Sequence, residues 1–215
     1  MFRLSINAAT EYVRKSLDEL ESSEDIGLMV DHDDLDLQKL VERHIVEAVI
    51  KTHSQVQPQW LEGIKGDVGV DYEIKADEDV ATVTMLLPTL RVISMQMSDS
   101  DIIVTEFFTE ASPEGRMQLN PYIRGRYDSP KAILQQTWAG EHKPVIKYYS
   151  LEDGLRDVTM DIEYFPYPEI IDEGVKISSR LEYPVLCTIV AMVLESLSEF
   201  DKAETYKKKA QEYIV

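Results

Sequence analysis

The chain is poor in the residues that most chemistry needs. It has one cysteine, Cys187, among 215 residues, so no internal disulfide can form, and a reducing compartment is the natural setting. Cys187 lies in the most apolar stretch of the chain, where a lone thiol is expected to pack rather than react. No apolar run reaches the ~18 residues that a membrane span requires. The stretch Met1 to Asn7 lacks the basic region and apolar core of a signal peptide. The four histidines, His32, His44, His53 and His142, form no His-Glu-x-x-His or Cys/His array. There is no phosphate-binding loop, Gly-rich dinucleotide turn or Gly-x-Ser-x-Gly elbow. No catalytic site, cofactor or metal is therefore expected. Asp31-His32-Asp33-Asp34-Leu35-Asp36 is the nearest thing to a metal cluster. It lacks the spacing and central glycine of a calcium loop, and carboxylates before a helix serve as caps and dipole partners.

Positive charge is also scarce. Twenty-two Lys and Arg face 40 Asp and Glu, a formal net charge of −18. Such a surface repels phosphates and anionic lipid over roughly 10 Å. That argues against sequence-specific DNA binding and membrane attachment, although it suits a wall past which DNA must slide without sticking. Apolar residues still make up 44% of the chain, enough for a folded core burying roughly 70% of the unfolded surface.

The arrangement of these residues falls into three blocks. Ala9, Tyr12, Val13, Ser16, Leu17 and Leu20 follow a helical period, which predicts a helix over Asn7 to Leu20. The acidic segment from Asp18 to Asp36 follows, without Lys or Arg. Asp34 or Asp36 then caps a second helix whose stripe is Leu37, Leu40, Val41, His44, Ile45, Ala48 and Val49, ending near His53. In this pattern His44 is expected in the core. Beyond Gly63, Gly66 and Gly69 the period changes to two. Strands are predicted over Val80–Leu87, Leu90–Met97, Ile102–Thr109, Met117–Ile123, Lys131–Thr137, Pro144–Leu151 and Val158–Phe165. The third block is helical again. Leu186, Ile189, Val190, Val193, Leu194 and Leu197 mark a buried helix, with Pro184 in its first turn. A break over Ser198–Asp201 leads to a second, antiparallel helix lined by Ala203, Tyr206, Ala210, Tyr213 and Ile214. Lys207, Lys208 and Lys209 near its end complement the helix dipole.

The expected fold is therefore α+β: a helical bundle from residues 1–62 and 176–215, with residues 63–175 inserted as an antiparallel sheet or small β-sandwich. One region departs from the general acidity. Between Arg116 and Lys147 the bases Arg116, Arg124, Arg126, Lys131, Lys143 and Lys147 outnumber the acids Asp128 and Glu141, and they alternate with Tyr122, Tyr127, Trp138, Tyr148 and Tyr149. Basic and aromatic side chains on strands can stack single-stranded nucleic acid. In so acidic a chain they fit better as anchors against the acidic face of a second copy, since Arg, Tyr and Trp dominate protein interfaces. The interface residues expected on this reasoning are Arg116, Tyr122, Arg124, Arg126, Trp138, Lys143 and Lys147, with Tyr213 on the last helix.

Three stretches carry a resemblance: Leu86 to Asp99 (LLPTLRVISMQMSD); Asn120 to Gly125 (NPYIRG) with Lys143-Pro144-Val145; and Leu194 to Ala203 (LESLSEFDKA). Together they resemble the head–tail connector, or ring, proteins of crAss-like tailed bacteriophages, from about Leu37 to the C-terminus. The resemblance implies a virion protein without enzymatic activity, made in the host cytoplasm, that closes into a homo-oligomeric ring, typically twelvefold, beneath the portal. Such a ring extends the channel through which genomic DNA passes, and seats further tail rings or tail-tube proteins. Two other readings are a helical-repeat-like interaction module, from the Leu194 to Tyr213 helix pair, and a metal-dependent nuclease. A repeat array needs about three copies, and one is visible; the nuclease lacks a ligand cluster.

Overall fold

The computed structural model describes residues 1–23, 34–77, 80–98, 100–120, 122–126, 128–135, 142–149 and 159–214; for 21–23 and 34–36 it describes the backbone only. In chain order the elements are β1 (Phe2–Ser5), α1 (Ile6–Ser23), α2 (Asp34–Gln55), β2 (Ile64–Lys65), β3 (Tyr72–Asp77), β4 (Val80–Met85), β5 (Thr89–Met97), β6 (Phe107–Thr109), α3 (Pro113–Met117), β7 (Lys131–Gln135), β8 (Val145–Tyr149), β9 (Met160–Pro166), β10 (Ile170–Ile171), β11 (Gly174–Ile177), α4 (Glu182–Ser196) and α5 (Phe200–Glu212). None of the described helices is long and apolar enough to cross a membrane.

This arrangement corrects the expected class. Among the described residues there are five helices and eleven strands in three sheets. The protein is a mixed α/β chain in which sheets dominate, not a helical bundle carrying an inserted antiparallel sheet. Two pairings account for the difference. The segment before α1 is a strand: Leu4 pairs with Val175 and Phe2 with Ile177, in a sheet of order β1-β11-β10. And β6 runs parallel to β7, which requires a long crossover in place of the short turns that the strand spacing predicts.

The chain divides into two compact units, Met1–Glu62 with Pro168–Val215, and Gly63–Tyr167. In the first, α1 buries Ile6, Ala9 and Val13, and α2 buries Leu37, Val41, Ile45, Ala48 and Val49, as their periods dictate. Every residue of α4 from Pro184 to Leu194 is buried. The α4–α5 turn closes with Ser198 in the left-handed region (φ 66°). The Glu199 N–H donates to the Leu194 carbonyl at 2.9 Å, and the Ser198 N–H to that of Glu195 at 3.0 Å, which is the Schellman pattern.

Among the described residues the buried histidine is His53, not His44. His44 sits at the edge of its stripe, 2.9 Å from the Ser196 hydroxyl. His53 is fully buried. The Ser178 backbone N–H donates to its Nε2 at 3.2 Å, so Nδ1 carries the proton and donates to the Val49 carbonyl at 3.0 Å. Burial of this neutral ring pushes its pKa down to about 4.

The second unit packs sheets of order β2-β9-β5 and β3-β4-β8-β7-β6 around one core that includes Tyr72, Val83, Met85, Met95, Ile146, Ile162 and Tyr164. The alternation predicted for Leu90–Met97 holds at Ile93, Met95 and Met97. Register shifts at Thr89/Arg91 and Val92/Ser94 bury Val92 on the same strand, because a bulge resets which face a side chain takes. The single strand predicted over Ile102–Thr109 serves both sheets in turn. Val104 exchanges two backbone hydrogen bonds with Met95 (2.8 and 2.9 Å), and Phe107–Thr109 then joins β7.

Candidate functional site

The crossover from β6 to β7 builds the most distinctive surface of the second unit. Of Met117 to Ile123, expected as a strand, Met117 ends α3 and the other described residues lie in turns and bends. Local chemistry dictates the change. Ser112 caps α3 by accepting the Gly115 N–H at 3.0 Å, and Pro113 supplies a preset first-turn φ. Gly115 is buried against β6, and a Cβ there would collide with the Thr109 carbonyl. The helix can lie this close to the strand only because that position carries no side chain.

Gln118 and Asn120 organise the rest of the crossover. Gln118 is buried, donates through Nε2 to the Glu114 carbonyl at 3.1 Å, and accepts the Gly125 N–H at 2.7 Å. The Asn120 side chain accepts the Tyr122 N–H at 3.0 Å, an Asx turn, while its carbonyl accepts the Arg124 N–H at 3.0 Å. The two side-chain amides hold the turn, Gln118 from within and Asn120 at the surface, and the apolar side chains are left exposed. Tyr122 is 90% exposed and Leu119 71%, with Met117 and Ile123 more than half exposed.

Met117, Tyr122 and Ile123 border an open groove of about 450 Å³ whose walls also include Phe108, Arg124 and Arg126. Lys131 enters the same groove from β7, its ammonium 5.7 Å from the centre of the Phe108 ring. Three cations therefore stand against one lining carboxylate, Glu114. A smaller cleft beside it shares Phe108, Ser129 and Lys131 with the groove and adds two carboxylates, Glu106 and Asp128. Clustered exposed apolar side chains rimmed by charge mark an interaction surface.

The structure gathers four of the expected interface residues on this crossover: Arg116, exposed at the end of α3, and Tyr122, Arg124 and Arg126. Lys147 lies elsewhere, on β8, where it approaches Glu110 at 3.7 Å. Lys143 precedes the same strand. Tyr213 belongs to the other unit, packed on Tyr183 with ring centres 4.7 Å apart. Trp138 lies outside the described residues, as do Tyr127 and most of the acidic segment, including Asp31 to Asp33. Sequence reasoning missed Phe108, Met117, Ile123 and Glu114 as groove residues. The Ser112-Pro113 pair is the signal that would have found the helix, and with it the crossover.

Among the described residues no group of three or more His, Cys, Asp or Glu is placed to hold a metal ion. Cys187 is buried, its Sγ 3.9 Å from the Tyr12 hydroxyl, and burial pushes its thiol pKa up. That is the reverse of what a nucleophile needs. The chain matches no protein-family model and no curated protein.

Proposed function

We propose that this chain is a structural subunit of a tailed-phage particle, repeated as a closed ring between portal and tail. In this reading it performs no reaction. It lengthens the conduit for the genome, binds DNA without sequence preference or not at all, and seats the next component of the tail. Support comes from the resemblance carried by Leu86 to Asp99, Asn120 to Gly125 and Leu194 to Ala203. The observation that carries the reading is the crossover groove: an apolar surface rimmed by Arg124, Arg126 and Lys131, on a chain whose formal charge is −18. Closed rings of one kind of subunit need two unlike patches that fit each other, and a basic groove on an acidic protein supplies the unlike pair.

The test is native mass spectrometry and negative-stain imaging of the protein alone and mixed with its portal. Rings of one diameter, stacked coaxially on the portal, are the expected result. A monomer in both samples that binds a short peptide would favour the interaction-module reading. Metal-dependent cleavage of DNA would replace both with an enzyme.

A further inference from the structure

The β10–β11 hairpin of the first unit ends in Glu169-Ile170-Ile171-Asp172-Glu173. Ile170 and Ile171 are consecutive in a strand, so one would ordinarily be buried. Here they are 45% and 46% exposed, because β10 is a two-residue edge strand. Asp172 and Glu173 both lie in the left-handed region (φ 47° and 58°), the backbone of a two-residue type I′ turn. Arg3 meets Asp172 at 3.1 Å, which leaves Glu169 and Glu173 in excess. The tip is thus two exposed isoleucines framed by carboxylates. The crossover groove is the converse, with apolar walls framed by Arg124, Arg126 and Lys131 against Glu114.

We propose that the β10–β11 hairpin tip of one copy docks into the β6–β7 crossover groove of the next copy, with Ile170 and Ile171 against Phe108 and Tyr122 and the tip carboxylates on the Arg126–Lys131 rim. This deepens the ring reading and rests on it, naming the two patches that meet. Because tip and groove are different surfaces, the contact is head-to-tail and repeats around a circle or along a filament. It is also small. Stable interfaces bury roughly 1,200–2,000 Å², more than five residues supply, so one contact is weak and closure of the ring provides the avidity.

A charge-swap experiment on the full chain tests the contact. R126E and E169K are prepared separately, and assembly is followed by sedimentation velocity over a concentration series without portal. Each variant alone is expected to need about tenfold more protein, or more, to assemble than the unaltered chain. The equimolar mixture should recover assembly, since each bears the partner patch the other now requires. I171D, which alters the exposed apolar anchor, should weaken assembly equally, with an unchanged melting temperature showing that it folds. A carbodiimide cross-link from Lys131 to Glu169 or Glu173 should join ¹⁴N to ¹⁵N chains in an isotopically mixed sample. Variants that assemble like the unaltered chain, a mixture that fails to recover, or cross-links confined to single chains would each overturn the contact. So would an unaltered chain that stays monomeric throughout. None of these touches the ring reading, which is decided by imaging with the portal.

Discussion

The side-chain carbonyl of Gln118 accepts the backbone N–H of Gly125 at 2.7 Å, tying the end of α3 to the far side of the turn that carries Tyr122. One buried amide thus closes the segment between them into a loop. The exposed aromatic is presented by a fixed turn, and preorganisation of this kind lowers the entropy lost when a surface binds.

Removing that amide tests the arrangement. Gln118→Ala leaves the Gly125 N–H without its acceptor, at a cost of about 1–3 kcal/mol. The loss should be local. Amide hydrogen exchange at Tyr122 to Gly125 should speed up strongly, while exchange in β4 and β8 stays as it was. Uniform acceleration across the unit would show that the crossover is not held in this way.

Gly115 sets how closely α3 approaches β6. Gly115→Ala forces the helix off the Thr109 carbonyl, and overpacking of this kind costs about 1–3 kcal/mol. Assembly should weaken along with the fold, because the groove wall moves. Denaturant unfolding gives the first number and sedimentation the second. An alanine variant as stable as the parent would contradict the packing described.

The α4–α5 turn offers a gain. Ser198 holds the left-handed position of its Schellman motif with a Cβ that this conformation disfavours. Ser198→Gly removes the clash at some cost in unfolded-chain entropy, and is expected to raise stability by about 0.5–1 kcal/mol. Thermal melting reads it directly; a lower melting temperature would place Ser198 outside the left-handed region.

His53 makes the fold acid-sensitive. Its pKa is about 4 in the folded chain, against 6.5 for an exposed ring. Above pH 6.5 the ring is neutral in both states, and the full stability is present. As pH falls below 6.5 the unfolded chain takes up a proton that the folded chain refuses, so stability declines until about pH 4. With each pKa unit worth about 1.36 kcal/mol, the loss is about 3 kcal/mol. Urea unfolding between pH 7 and 4, with NMR titration of the His53 ring, measures both quantities. A ring titrating near 6.5 in the folded protein would end the argument.

How much of this was legible in the sequence depends on the kind of information each feature carries. The buried stripes of α1 and α2 follow from spacing alone, because a helix places every third or fourth residue on one side, and the burial of α4 follows from its nearly unbroken apolar run. Met160, Ile162 and Tyr164 alternate into the core of β9 for the same reason with a period of two. The basic, aromatic character of the crossover is compositional, and Tyr122, Arg124 and Arg126 stand together because they are neighbours in the chain. His44 and His53 show the limit: nine residues apart on one helix, they differ in burial and meet partners, Ser196 and Ser178, that arrive from far along the chain.

The amino-acid order by itself determined which side of each long element is buried, where the chain is acidic, and which short stretch is not. Only the tertiary structure decided that Phe2–Ser5 is a strand, that β6 lies parallel to β7, and that the intervening residues rise into a grooved crossover. Periodicity specifies a face but names no partner. Those pairings join residues as distant as Phe2 and Ile177, through backbone hydrogen bonds that leave no mark on local spacing.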